Sequence, residues 1–247
     1  MARLSVNVNK VATVRNSRGG TVPSVLEAVE ACIAAGSPGI TVHPRADARH
    51  ITATDVREVS SHLQSLDRRV EYNIEGDPRP DLLDLVHEVR PDQCTLVPVR
   101  PGEITSQAGW SIDTPRARLE RVVAELKSAG IRVSLFVDAE EAPVRWAADL
   151  GADRVELYTE PFARACERGA QQGLQSFEVY ARVARLAQSL GLGVNAGHDL
   201  NLHNLVLFRR LPYLDEVSIG HALVGYALFV GLDRSVREYL RVLSGED

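Results

Sequence analysis

The sequence predicts an α/β protein, a single (β/α)8 barrel of the TIM type over residues 1–247, with extra short helices in the loops of its active face. Three observations predict it. Eight short apolar runs alternate with helix-patterned stretches, and parallel strands need such crossovers to travel back across the sheet. The runs close on polar or glycine-rich tips, as strands do where a barrel mouth carries chemistry. A chain of 247 residues matches one such barrel and leaves little room for a second domain.

Taken in order, Leu4 to Val8 ends in Asn9-Lys10, Gly39 to Val42 in His43-Pro44-Arg45, and Arg69 to Ile74 in Glu75. Gln93 to Val97 ends in Pro98, Arg132 to Val137 in Asp138, and Arg154 to Leu157 in Tyr158-Thr159-Glu160. Leu192 to Val194 leads into Asn195-Ala196-Gly197-His198, and Glu216 to Ile219 into Gly220-His221. Helices are expected over Pro23 to Ala35, Ala53 to Ser65, Pro80 to Val89, Pro115 to Ala129, Ala139 to Leu150, Ser176 to Leu190, Leu202 to Arg210 and Ala222 to Leu243. Thr52 with Asp55 reads as a capping box, Pro115 suits a first helical position, and Gly36, Gly130, Gly151 and Gly191 stand just past apolar-periodic segments. Two connections are longer than a barrel needs. Arg100 to Asp113 is expected to act as a lid, and Glu160 to Gly173 to hold a short extra helix.

An apolar fraction of 45% and a charged fraction of 25% suit a globular chain with a full core. No apolar run is long enough to span a membrane and no secretory leader is visible, so a cytoplasmic enzyme is expected. A net charge of −5 disfavours nucleic acid as a partner without opposing local capture of small anions. Cys32, Cys94 and Cys166 lack paired spacing, so neither disulfides nor a thiolate metal site is expected. Lys10 and Lys127 are the only lysines among 28 basic residues, which draws attention to Lys10 at a strand tip.

Strand alternation puts Thr41 and His43 on one face, so His43 faces the barrel mouth if Thr41 faces its interior. Histidine changes charge near neutral pH, which makes an inward one at the rim a candidate acid or base. Arg45 and His50 beside it are suited to a phosphate. In the third strand Glu71, Asn73 and Glu75 share a face, and three inward polar residues are expensive without a purpose. Glu75 is the best candidate for a catalytic carboxylate; a structural ion pair with an arginine is the alternative. The glycines near His198 and His221 let backbone amides approach an anion at the usual phosphate position of this fold. Asn7, Asn9 and Lys10 in the first strand argue against a metal, because a lysine repels a divalent ion.

In order, these tips resemble the pyridoxine 5'-phosphate synthase family of vitamin B6 biosynthesis. The resemblance runs through Ala12 to Gly19, Gly39 to Arg45, Arg49 to Thr52, Asn73-Ile74-Glu75, Leu96-Val97-Pro98, Val133 to Asp138, Val194 to His198 and Ile219 to Ala222. It implies condensation of 3-amino-2-oxopropyl phosphate with 1-deoxy-D-xylulose 5-phosphate and closure of a pyridine ring, with release of inorganic phosphate and water. It implies no metal or organic cofactor, no nucleic-acid or membrane partner, and a homo-octamer. By resemblance His43 and Glu75 accept protons, His198 donates one, and Glu156 steadies cationic intermediates. Asn7, Arg18, Gly220 and His221 would hold the amino-ketone phosphate, with Arg18 able to reach a neighbour's site; Arg45, His50 and Thr105 would hold the deoxyxylulose phosphate.

The chain departs from the family pattern at Asn9-Lys10, where Asp-His is usual, at Asp199, where glycine is usual, and at Tyr158, where histidine is common. Asn9, Lys10 and Asp199 are therefore counted with the substrate-binding residues, and Lys10 and Asp199 are expected to pair across the mouth or Lys10 to meet a phosphate. A Schiff-base aldolase using Lys10 is the rival enzyme, distinguished by borohydride trapping. A phosphate-ligand binding protein without turnover is the other alternative, and it would tolerate Glu75→Gln.

Overall fold

Side-chain alternation along eight strands sorts this sequence into two cores. In a computed structural model, which describes residues 1–99, 103 and 105–246, the strands are β1 (Arg3–Asn7), β2 (Gly39–Val42), β3 (Glu71–Gly76), β4 (Gln93–Leu96), β5 (Arg132–Val137), β6 (Arg154–Tyr158), β7 (Gly193–Gly197) and β8 (Leu214–Ile219). They form a closed barrel in chain order, with β8 parallel to β1. Around it lie α1 (Asn9–Asn16), α2 (Val25–Ala34), α3 (Ala53–Gln64), α4 (Pro80–Val89), α5 (Arg116–Ser128), α6 (Glu141–Asp149), α7 (Glu160–Arg168), α8 (Ala170–Ser189), α9 (Leu202–Phe208), α10 (His221–Val230) and α11 (Leu232–Ser244).

The outward-facing strand residues are aliphatic: Leu4, Val6, Ile40, Val42, Ile74, Leu96, Leu135, Val155, Val194 and Val217 are all fully buried. They meet the helices' apolar stripes and form a ring-shaped core, each side chain contributing about 1.5–3 kcal/mol by leaving water. The inward parity is polar. Ser5 and Thr41 share a hydrogen bond of 2.6 Å, Asn73 donates to Thr41 (3.3 Å), and Thr95 donates to Asn73 (3.0 Å). Towards the amino-terminal end Glu71 accepts from Arg3 (2.7 Å) and Arg132, with Arg154 at 3.9 Å. Arg132 also donates to Gln93 (2.9 Å), and Arg154 to Asn195 (3.1 Å). Buried polar groups persist only when paired, and this ladder pairs them.

The elements match the sequence reading with instructive shifts. Thr52 and Asp55 form the expected capping box. β3 continues through Glu75, which lies opposite Thr95 in the ladder, so this polar residue is part of the strand rather than its tip. Asn9-Lys10 is not a loose tip: it opens α1, whose single buried face is only Val11 and Ala12, too short for periodicity to reveal. The expected short helix after the sixth strand is α7, and α8 starts earlier than foreseen, at Ala170. The helix expected from Ala222 to Leu243 is two helices, broken at Gly231, whose φ of +87° strains any side chain. The three cysteines are free, and Cys94 is fully buried in the ring-shaped core. Among the described residues no helix is long and apolar enough to cross a membrane.

Glu71→Gln would leave its arginine partners without their carboxylate. The substitution is expected to lower the unfolding free energy by about 3 kcal/mol in denaturant titrations.

Candidate active site

The carboxyl ends of the strands surround a cavity of about 730 Å³. Of the residues singled out from the sequence, it is lined by Asn7, Asn9, Lys10, His43, Arg45, His50, Glu75, Thr105, Glu156, His198, Asp199, Gly220 and His221. Arg18 is the exception. It is exposed just beyond α1 and does not line its own chain's cavity.

Glu75 sits at the centre. Its Oε2 lies 3.6 Å from His43 Nδ1 and 3.4 Å from the Asn7 amide that donates to it, and Ser218 Oγ donates to Oε1 at 3.3 Å. His43 is held from behind, its backbone N–H donating to Asn9 Oδ1 (2.8 Å), while Asn7 Oδ1 accepts from the Asn9 N–H (3.1 Å). The tip of β1 and the start of α1 thus position the tip of β2. Among the described residues His43 Nε2 is buried without a hydrogen-bond partner, an arrangement that favours a ligand completing the shell. Ser218 was not singled out from the sequence, although its strand parity, two residues before Gly220, is a signal that could have found it.

Glu156 is buried near Glu75, with Oε2 lacking a hydrogen-bond partner among the described residues. Burial, then the neighbouring Glu75 and Glu216 carboxylates, push its carboxyl well above the usual range. Glu216 is pushed up to about 7 by burial and Glu71. Like charges in low dielectric repel, so burial and the neighbouring carboxylates together favour the neutral form of Glu156. Gly197 makes room for it: a β-carbon there would collide with Glu156 Oε1.

One flank of the cavity is cationic. Arg45 is buried, yet its guanidinium makes no hydrogen bond or ion pair among the described residues, and burial, together with Arg49, lowers its pKa. His50 accepts the Ile51 N–H at Nδ1 (3.0 Å), which leaves the ring proton on Nε2. Burial first, then His43, Arg45 and Lys10, drive His50 down to about 3, so it is a neutral donor. Lys10, Arg45 and His50 therefore offer donors without a carboxylate to consume them, the composition of an anion pocket.

On the opposite flank His198 is bracketed. Its Nδ1 lies 2.9 Å from Asp199 Oδ2 and its Nε2 lies 2.9 Å from Thr105 Oγ1. The Tyr158 ring packs edge-on against the imidazole at 5.2 Å and against Phe136 at 5.5 Å, forming an aromatic wall that the strand tips alone did not reveal. The expected pairing of Lys10 with Asp199 is not formed. Asp199 is engaged by the adjacent imidazole, and Lys10 has no carboxylate within 4 Å among the described residues. Of the loop expected as a lid, residues 100–102 and 104 lie outside the described residues; beyond them, Trp110 ties the chain down by donating to the Leu96 carbonyl (2.8 Å).

A closed parallel barrel whose mouth joins acid–base side chains to an anion pocket defines a class: enzymes that act on phosphorylated small molecules. The family model described as pyridoxal phosphate biosynthesis protein PdxJ matches residues 4–245, and the chain belongs to that family. It is 49% identical to a pyridoxine 5'-phosphate synthase of Leptospira biflexa, over 99% of this chain and 98% of the relative. It is 50% identical to the synthase of that name from Christiangramia forsetii, over 98% and 100% of the two chains. A thiamine phosphate pyrophosphorylase structure from Pyrococcus furiosus shares the fold, with a TM-score of 0.64 at 13% identity over 99% of this chain and 96% of that one.

The folded chain keeps His50 neutral down to about pH 3, whereas the unfolded chain protonates it near 6.5. The unfolded state then binds the extra proton, so this contribution to stability is whole above about pH 6.5 and is lost as pH falls towards 3. His50→Asn is expected to flatten the pH dependence of the unfolding free energy across that window, as measured by urea titrations at stepped pH.

Proposed function

We propose that this chain is a pyridoxine 5'-phosphate synthase, joining 3-amino-2-oxopropyl phosphate to 1-deoxy-D-xylulose 5-phosphate and closing the pyridine ring with loss of phosphate and water. The observation that carries the reading is the convergence of Glu75, His43 and His198 on one cavity that also holds the buried Arg45, unpaired among the described residues, in a chain of this family. Imine formation, phosphate loss, hydration and ring closure each move protons, so several acid–base groups are required.

In this mechanism Glu75, hydrogen-bonded by Asn7 and Ser218, takes protons from the joined substrates, and His43 beside it serves as a second acceptor. His198 delivers a proton from the opposite wall. Glu156, its carboxyl pushed up by burial and neighbouring carboxylates, lines the cavity where cationic intermediates develop and steadies them. Arg45, His50 and Thr105, with Lys10 and Asn9 beside them, hold the deoxyxylulose phosphate. Asn7, Gly220 and His221, with Arg18 from a neighbouring copy, hold the amino-ketone phosphate.

We further propose a cytoplasmic homo-octamer. Support for association comes from α10, which is apolar on all sides while only Leu223 is buried, leaving Leu228 at 74% and Phe229 at 87% exposure. Such a helix wants a partner surface.

Incubating the protein with both phosphorylated substrates tests the assignment: a pyridine chromophore and stoichiometric phosphate are expected, and the absence of both refutes it. Glu75→Gln and His198→Asn are each expected to lower kcat about a hundredfold or more with small changes in KM. Arg45→Ala is expected instead to raise KM for the deoxyxylulose phosphate about tenfold or more, since it removes a charge-assisted contact. Steady-state kinetics with each substrate varied in turn distinguishes the two outcomes.

A further inference from the structure

We infer that Asp199 is a positioning residue that acts through His198, holding the ring in its proton-donating form, rather than a group that touches substrate. The inference rests on the donor role proposed for His198. Among the described residues Asp199 is the only carboxylate within ion-pair reach of that imidazole, at 2.9 Å from Nδ1.

The backbone is bent to make this contact. His198 and Asp199 are consecutive non-glycine residues at φ of +87° and +62°, a conformation that costs energy and persists only where its surroundings enforce it. The enforcing contacts are present. The Thr159 hydroxyl is shared between the carbonyls of Gly197 (2.7 Å) and His198, and the Asn204 amide donates to the Asp199 carbonyl at 3.0 Å. Asn204 is itself buried and fixed in a reciprocal capping box with Asn201 at the start of α9. The result turns the carboxylate back onto the preceding ring.

A carboxylate at Nδ1 takes the proton on that nitrogen and leaves Nε2 as the working atom. The contact also sets an anionic oxygen against the ring edge that carries this proton. Conversely, the His198 hydrogen bond holds the Asp199 carboxyl below its usual range. The other charged or titratable groups around the pair are Tyr158 from β6, Glu160 and Arg164 from α7, His221 from α10, Lys10 from α1, Asp138 after β5, and Glu103. None of them lies within 4 Å of the imidazole as an ion-pair partner, so the charge closest to the ring is that of Asp199.

The test compares Asp199→Asn, His198→Asn and the double variant. Asparagine keeps an oxygen that can accept from Nδ1 and removes only the charge. Asp199→Asn is expected to lower kcat about tenfold with KM within about twofold, and to move the alkaline limb of the kcat–pH profile about one unit towards acid. In the His198→Asn background it is expected to cost nothing further. Independently of turnover, the resting enzyme labelled in its histidines should show a downfield proton on His198 Nδ1 that Asp199→Ala abolishes. An unmoved alkaline limb, a further loss in the His198→Asn background, or an Nδ1 proton indifferent to Asp199→Ala would overturn the inference. If the Nδ1 proton behaves as expected but no pyridine forms from the two phosphorylated substrates, the reaction assignment fails while the dyad stands.

Discussion

Four carboxylates enclosed in one parallel barrel impose the constraint to which the rest of the structure answers. Glu71, Glu75, Glu156 and Glu216 all occupy inward positions and are all buried, where like charges repel and solvation is lost. The protein resolves the conflict by level. At the amino-terminal end Glu71 is neutralised by Arg3, Arg132 and Arg154. Glu156 and Glu216 shift towards their neutral forms. At the carboxyl end Glu75 is left beside His43, with donors from Asn7 and Ser218. One chemical group is thereby ion-paired, shifted towards its neutral form, or held by neutral donors according to its surroundings.

The same principle organises the mouth. Among the described residues Arg45, His50 and Lys10 have no carboxylate as an ion-pair partner, whereas His198 has Asp199. Arg45 and His198 enter the cavity after different strands, β2 and β7, and Thr105 reaches the His198 ring. The long polar ladder of Ser5, Thr41, Asn73 and Thr95 holds the strand tips in register beneath both.

The strands were legible because their outward parity is almost purely aliphatic, and the site was legible because polar residues sit at strand ends where alternation aims them inward. Thr41 and His43 on one face, and Glu71, Asn73 and Glu75 on another, follow from a period of two and nothing else. What escaped were features set by contacts distant in sequence. Glu71 and Glu75 look alike in a strand of that composition, and only the arginines from β1, β5 and β6 distinguish an ion-paired carboxylate from a reactive one. Helix α1 is too short to show a stripe, and Asp199 gives no hint in one dimension that its partner is the adjacent histidine rather than Lys10. Arg18 is chemically suited to a phosphate, yet it is exposed and does not line its own chain's cavity, a matter of loop placement that composition does not encode.

Trp110 donates its indole N–H to the Leu96 carbonyl, and its backbone N–H to Phe136, bridging β4 and β5 next to the cavity. The second tryptophan, Trp146, is buried on α6 with its indole nitrogen unpartnered. With only two indoles in the chain, one hydrogen-bonded beside the working end and one sealed in hydrocarbon remote from it, the protein carries a pair of built-in fluorophores of contrasting polarity, whose emission separates events at the mouth from loosening of the outer shell.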